Sequence, residues 1–320
     1  MKNNRSTSSP STSADHRIYT DLPRLLRSRH WARDLKLFSR NAARSLLLGE
    51  THSRFRGRGM EFEEVRRYQP GDDIRTIDWR VSARTGKTYT KLFCEERERP
   101  VHILVDQRSS HFFGSSTQFK SVLAAELAAA IAWAALAGSD RIGGQIIGDL
   151  KESDIRAKRN KQAVLSFIHD LNEINHTLPN NADTKNLDNS ITHSLEECQR
   201  ITRPGTAIFI ISDCHDFDQA TAKALSTLGK HTDITLLQII DPLETQLPMD
   251  GLVAISDGQR NTSVQFNSGL RKAYQQHKSK RDKQLNDALL NAKALYAQAD
   301  TTQTARECLN SLFGRNRKRR

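Results

Sequence analysis

The sequence predicts an α/β fold: a doubly wound, mostly parallel sheet preceded by a small N-terminal antiparallel β module. Three observations carry this. Short, nearly continuous apolar runs recur at VHILV (Val101 to Val105), RIGGQII (Arg141 to Ile147), TAIFIIS (Thr206 to Ser212) and ITLLQII (Ile234 to Ile240), the pattern of strands buried on both faces. Helix-compatible segments lie between them, an Ala-rich stretch from about Thr117 to Ala137 and a second from Asp218 to Lys230, and such alternation winds a parallel sheet. Each run leads to an aspartate, Asp106, Asp149, Asp213 or Asp241. Four carboxylates then gather at the carboxyl edge, where open α/β sheets bind ligands. Aspartate is also a common helix N-cap, so each has a local alternative use.

With 320 residues, 37% hydrophobic and 27% charged, the chain can build two lobes with cores of their own. Its pI near 9.7 is the unusual bulk property. The net charge of +12 divides into +9 for residues 1–100, −2 for 101–310 and +5 for 311–320. An anionic partner for the N-terminal lobe or the tail would explain this asymmetry, as would simple solubility. Four scattered cysteines, Cys94, Cys198, Cys214 and Cys308, form no Cys-x-x-Cys pair, which indicates reduced thiols and a cytoplasmic protein. No secretory signal opens the chain, and the most apolar segment, Val122 to Ala137, is interrupted by Glu126, so no membrane span is expected.

In chain order, residues 1–20 read as disordered and 21–99 as a basic helical segment followed by the β module. Residues 100–250 form the sheet domain, 251–313 a helical region packed on it, and 314–320 a basic tail. Ser53 to Phe62 reads as a glycine-rich loop carrying Arg54, Arg56 and Arg58. Pro70-Gly71 suits the centre of a type II turn. From it a strand is expected to leave, because Ile77, Trp79, Val81 and Ala83 alternate with Asp78, Arg80, Ser82 and Arg84. Arg84 to Lys87 then reads as a hairpin turn and Thr88 to Cys94 as the return strand. This places Asp72, Asp73, Arg75, Asp78 and Arg84 on a stiff polar ribbon, with Trp79 and Ile77 buried beneath it. Those six positions, Asp72, Asp73, Arg75, Asp78, Trp79 and Arg84, form a candidate interaction surface, or else an internal salt-bridge network. Near the C-terminus Leu285, Ala288, Leu289, Ala292 and Leu295 fall at helical spacing within a helix from about Leu270 to Gln298, whose Lys- and Arg-rich first half reads as solvated.

The segment VDQRSSHFFGSS carries the candidate chemistry. An aspartate at a strand end followed by hydroxyls can collect hard oxygen ligands around Mg²⁺, and Asp106, Ser110 and Asp213 are the candidate ligands. Arg108 stands where a second hydroxyl is expected, and a guanidinium has no lone pair to donate. The favoured alternative is a metal-free or weak site in which Arg108 pairs with Asp106 or Asp213. His215 beside Asp213 and Asp216 is a local cluster with no partner motif. The sequence contains no Gly-x-Ser-x-Gly, no phosphate loop and no His-Glu-x-x-His, so no enzyme is expected. Nucleic-acid or anionic-surface binding is the rival reading. With aromatics at 6% and none in the tail, base stacking is poorly served and a solvated tail is favoured.

These residues make the chain similar to the domain-of-unknown-function 58 family of bacterial proteins. The resemblance rests on Gly57-x-Gly59-x-Glu61-Phe62, Arg67-Tyr68, Gly71-Asp72-Asp73, Arg75-x-Ile77-Asp78-Trp79 and Ser82-Ala83-Arg84. It continues with Glu95-Glu96-Arg97, Asp106, Phe113-Gly114, Ile211-Ser212-Asp213, Asp241-Pro242-x-Glu244 and Leu247-Pro248, covering roughly residues 45–313. It implies a Rossmann-like von Willebrand factor A-like domain with a metal-ion-dependent adhesion site at the carboxyl edge, behind a β-rich module. That site's Asp-x-Ser-x-Ser pattern reads Asp106-Gln107-Arg108-Ser109-Ser110 here, and its threonine falls near Thr184. The resemblance also implies association with MoxR-type AAA+ ATPases and their client proteins. Longer members carry two membrane helices ahead of the module, so a soluble short form is expected. The reading is a non-catalytic adaptor acting with such an ATPase in assembly or maturation of protein complexes.

Overall fold

In the computed structural model, residues 15–38, 61–70, 72–94, 99–177, 190–245, 247, 251–256 and 261–313 are described. Residues 1–14, the arginines at 54, 56 and 58, the Glu95-Glu96-Arg97 motif, Thr184 and the 314–320 tail lie outside them. The chain divides into two compact units, residues 52–99 and residues 1–51 with 100–320.

Three short helices, α1 (Asp15–Ile18), α2 (Leu22–Arg27) and α3 (Arg29–Ala32), open the larger unit. We expected disorder to residue 20, yet the Thr20 amide donates to Asn175 Oδ1 at 2.9 Å. We also expected this basic segment to go with the β module. It packs instead on the sheet unit, because Leu25, Ala32, Leu35 and Leu37 find an apolar surface there. Arg24 holds Glu126, a half-way carboxylate of the core helix, at 2.5 Å.

In the smaller unit β1 (Glu61–Arg67) pairs antiparallel with β2 (Tyr89–Cys94). Residues 61 and 62 are thus strand rather than loop. Between the strands the Asp72 amide donates to the Gln69 carbonyl at 3.0 Å, while Gly71 of the expected turn lies outside the described residues. The strand expected from Ile77 is not formed. Ile74–Thr76 is a 3₁₀ turn and Trp79–Thr85 an α-helix, α4. Its ends explain why: Asp78 accepts from the amides of Arg80 and Val81, both at 3.1 Å, and Gly86 closes the helix at φ 69°. An N-cap and a left-handed C-cap outweigh an eight-residue alternation.

The larger unit is built on β3 (Pro100–Asp106), α5 (Lys120–Ala137), β4 (Arg141–Ile147), β5 (Ser153–Lys158), α6 (Lys161–Thr177), α7 (Ile191–Ile201), β6 (Ala207–Ser212), α8 (Gln219–Leu228), β7 (Asp233–Ile240) and α9 (Pro242–Thr245). A hairpin, β8 (Gly251–Ser256) with β9 (Asn261–Phe266), precedes α10 (Ser268–Ala292), β10 (Leu295–Asp300) and α11 (Ala305–Phe313). The sheet runs β10-β7-β6-β3-β4-β5, parallel except for the β4–β5 edge. Counted in chain order within the sheet this is 3-2-1-4-5-6, which reverses direction between β3 and β6 and opens a crevice at their carboxyl ends.

Alternate residues of the central strands feed two cores. Val101, Ile103 and Val105 with Phe209 and Ile211 face α5, α6 and α11, while Leu104, Ile208 and Ile210 face α7, α8 and α10. Helix α5 is apolar all round and long enough to cross a membrane by composition, but 89% of its span is buried inside the fold, the position of a core helix. The C-terminal region departs from expectation: Leu295 belongs to β10, paired parallel with β7. Lys293 at φ 53° ends α10, and the apolar alternation of Leu295, Ala297 and Ala299 then suits an edge strand.

The glycine pair of RIGGQ answers two close approaches on opposite faces of β4. A Cβ at Gly143 would meet the Ile155 carbonyl at 2.7 Å, and one at Gly144 the Phe167 ring at 2.6 Å and the Ile103 carbonyl at 2.8 Å. Overpacking of this kind costs about 1–3 kcal/mol. Gly144→Ala is therefore expected to lower the urea midpoint by a corresponding amount, and an unchanged midpoint would contradict this packing.

Candidate functional site at the carboxyl edge

Residues whose partners are needed at the switch point arrive from both sides of it. Asp106 ends β3 and is buried. Its own turn returns Arg108 to it: the Arg108 amide and Nε donate to Oδ1 at 3.1 and 2.9 Å, and Nη2 to Oδ2 at 2.6 Å. The other edge of the same guanidinium grips Asp216, Nη1 to Oδ2 at 2.6 Å and Nη2 to Oδ1 at 3.0 Å. Ser212 at the end of β6 adds a hydroxyl hydrogen bond to Asp106 Oδ2 at 2.9 Å. One planar cation thus holds two carboxylates from the two sides of the crevice, the bidentate geometry for which arginine is suited.

Asp213, the next residue after β6, is served by a second cation. Lys120 Nζ donates to Asp213 Oδ2 at 2.8 Å and to Glu244 Oε1 at 2.6 Å. The lysine is buried although it opens an apolar helix. Asp213 Oδ1 takes the His215 amide at 2.9 Å, a turn that sets Cys214 at φ 55°, a left-handed conformation costly for a non-glycine residue. His111, fully buried in the 3₁₀ turn Ser109–His111, accepts the Asp213 amide on Nε2 at 2.9 Å. Its Nδ1 then faces Asp106 Oδ1 at 3.6 Å and Asp213 Oδ2 at 4.0 Å.

Electrostatics follow from these contacts. Burial raises the Asp106 carboxyl, but His111 and the Arg108 guanidinium outweigh it and hold the group below its ordinary range. Burial acts likewise on Asp213, and His111, Lys120 and the His215 amide overcome it, leaving that carboxyl well below ordinary. Burial opposes charge on Arg108 and Lys120, yet their carboxylate partners lift both above their usual values.

The other two rim aspartates bracket loops. Asp149 Oδ2 accepts the Ser109 amide at 2.7 Å. Buried Asp241 receives the Ser115 amide at 2.9 Å, the Ser115 hydroxyl, and the Thr301 hydroxyl at 2.7 Å. All four carboxylates therefore lie along one edge, each engaged by a donor of its own chain.

Among the described residues Asp106, His111 and Asp213 offer ligand atoms within 4.8 Å of one another, whereas Ser110 turns its hydroxyl to His111 Nδ1 at 3.4 Å. The Asp106, Ser110, Asp213 set is thus not assembled as a ligand shell. A divalent cation does not fit the residues present. Both Asp106 oxygens are covered by Arg108, and Asp213 Oδ2 by Lys120. The His111 nitrogen that could donate a lone pair is occupied by the Asp213 amide. A cation here would face two fixed positive charges. Arg108 pairs with Asp106 and Asp216 rather than with Asp213.

The module residues are placed separately. Asp72 binds Arg66 at 2.7 Å and the Gln69 amide at 2.9 Å, and Asp73 caps the 3₁₀ turn through the Arg75 amide at 3.0 Å. With Asp78 capping α4, the three aspartates serve local structure. Trp79, expected beneath the ribbon, is 68% exposed and Ile74 65% exposed; Arg75 and Arg84 are also exposed, while Ile77 is half-buried and bridges Thr90. His111 and Lys120 are missed from sequence. The available signal for Lys120 was a single cation at the head of an alanine-rich helix.

A mostly parallel six-stranded α/β sheet flanked by helices, with small antiparallel sheets and a carboxyl edge closed by its own ion pairs, defines the class. Within it, the chain belongs to the family described as Protein of unknown function DUF58, which it matches over residues 64–284. Uncharacterized proteins of Mycobacterium tuberculosis and Mycobacterium bovis are each 26% identical over 276 residues, 86% of this chain and 80% of the relative. Uncharacterized protein YeaD of Bacillus subtilis is 43% identical over 49 residues, 15% of this chain and 12% of that protein. The crystal structure of conserved hypothetical protein BatB from Bacteroides thetaiotaomicron overlaps with a TM-score of 0.42 at 14% identity, covering 67% of this chain and 96% of that one.

The Lys120 bridge has a pH-dependent consequence. Because Asp213 is held below its ordinary value of 3.8, its ionic stabilisation is complete above that pH and is lost as pH falls toward the folded-state value. Lys120→Met leaves the buried carboxylate unpaired and is expected to cost about 3–5 kcal/mol at pH 7. Urea unfolding at pH 7 and at pH 3, below the ordinary carboxylate value, should show that gap narrowing at the lower pH as the carboxyl begins to protonate. A gap independent of pH contradicts the pairing.

Proposed function

We propose that this protein is a non-catalytic interaction adaptor of the cytoplasm, a von Willebrand A-like domain joined to a β module, which presents client proteins to a MoxR-type AAA+ ATPase. The 3-2-1-4-5-6 order with its antiparallel edge supports the A-like reading. The carboxyl edge supports the non-catalytic one. Its acids and bases are locked in mutual hydrogen bonds, and the nearby Cys214 thiol is buried and pushed above its usual value by desolvation, which suppresses the thiolate. Mg²⁺ plays no part in this reading, since Arg108 and Lys120 supply the positive charge.

The observation that carries the adaptor reading is the exposure of large apolar residues in the module. Local hydrogen bonds engage Asp72, Asp73 and Asp78, while Trp79 and Ile74 are exposed, as are Arg75, Arg80 and Arg84. Tryptophan with arginine is the composition enriched where binding energy concentrates. Trp79→Ala, tested in a tagged full chain recovered from its native host, is expected to reduce the retained MoxR-type ATPase about tenfold, or ~1.4 kcal/mol, with the melting temperature unchanged. Undiminished retention, or a wild-type chain that retains no such ATPase, would overturn the assignment.

A further inference from the structure

Helix α10 is longer than the sheet it covers. Its 25 residues span about 37 Å, against about 20 Å for the six-residue strand β10 that follows it. The chain enters β10 at the amino edge of the sheet, so the first half of α10 overhangs the carboxyl edge. The cation-rich first half was expected to be solvated throughout. Instead Tyr274, Lys278 and Arg281 are half-buried on the same stripe as the buried Leu285, Ala288, Leu289 and Ala292. Tyr274 Oη and Lys278 Nζ both donate to the Glu244 carbonyl, at 2.9 and 3.1 Å, which fixes the overhang against α9.

Under that overhang lies a pocket of about 150 Å³ that shares Asp213 and Glu244 with the carboxyl-edge site and is lined also by Lys278, Arg281, Asp282 and Gln298. Among the described residues no hydrogen bond or ion pair engages the Arg281 guanidinium. Its fork of five donors is therefore available to a ligand. The neighbouring acids do not neutralise it, because Asp213 and Glu244 are spent on Lys120.

We infer that this pocket binds a carboxylate, held by the Arg281 fork with Lys278 beside it. The charge balance selects the ligand's charge. Asp213, Glu244 and Asp282 all line the pocket, and their repulsion of a phosphate dianion is about twice their repulsion of a singly charged carboxylate, which limits the ligand to one negative charge. The volume suits the end of an acidic side chain or a small carboxylic acid, two sources of the same group.

The test follows the Arg281 Nε–H resonance of the full chain by NMR during titration with the capped tripeptide acetyl-Ala-Glu-Ala-amide, with glutarate and with inorganic phosphate. A saturable shift with either carboxylate and a weaker response to phosphate is expected. The tighter of the two carboxylates identifies the source. Arg281→Gln, at a residue with no hydrogen bond or ion pair among the described residues, should leave the melting temperature unchanged and is expected to weaken carboxylate binding about tenfold or more, read from amide shifts of Thr245 and Gln298. Arg281→Lys should weaken it less than Arg281→Gln. No saturable shift with either carboxylate, tighter binding of phosphate, or binding unchanged in Arg281→Gln would overturn the inference. Each reads the pocket directly, so its outcome is independent of whether the module binds an ATPase.

Discussion

The guanidinium of Arg108, clasped between Asp106 and Asp216, is the constraint around which the sheet's carboxyl edge is organised. Two carboxylates from opposite sides of a switch point would repel each other in a low-dielectric crevice. A cation between them turns that repulsion into a tie across the crevice. Ion pairs this buried recover their desolvation cost only when the remaining lone pairs are also satisfied. Here Ser212 supplies one such donor to Asp106, and Lys120 repeats the arrangement one residue along, between Asp213 and Glu244.

This closure organises the rest of the edge. The tie from β3 to the loop after β6 fixes the 3₁₀ turn that buries His111, and His111 in turn fixes the Asp213 backbone. Asp149 and Asp241 hold the two ends of the loop between β3 and α5 through Ser109 and Ser115. The carboxyl edge of an open α/β sheet is ordinarily its ligand-binding face. In this chain the switch point itself is filled by its own residues, so the recognition we propose lies outside it, at the overhang of α10 and, in the other unit, at the exposed Trp79.

The central strands and the edge aspartates were legible in the sequence because burial on both faces leaves an apolar run that no helix of that length would need, and because each run stops at a polar residue. The module was less legible. Alternation from Ile77 to Ala83 spans too few residues to outweigh Asp78 and Gly86, whose capping of α4 is a local hydrogen-bonding fact invisible to periodicity. Strand β10 was hidden because Leu295 continues the helical spacing of α10, and only the left-handed Lys293 breaks it. At the site, Asp106, Arg108 and Asp213 could be named from their positions after strands. Lys120 and His111 could not, since their roles arise from contacts across 93 and 102 residues that one sequence does not encode as spacing.

Calorimetric titration of the full wild-type chain with Mg²⁺ at millimolar concentration bears most directly on a switch point closed by its own cations. With Arg108 and Lys120 seated on the carboxylates, no saturable heat is predicted. A saturable one-site heat that disappears in Asp106→Asn would contradict the account, because it would require the ion to displace the arginine on which the edge is built.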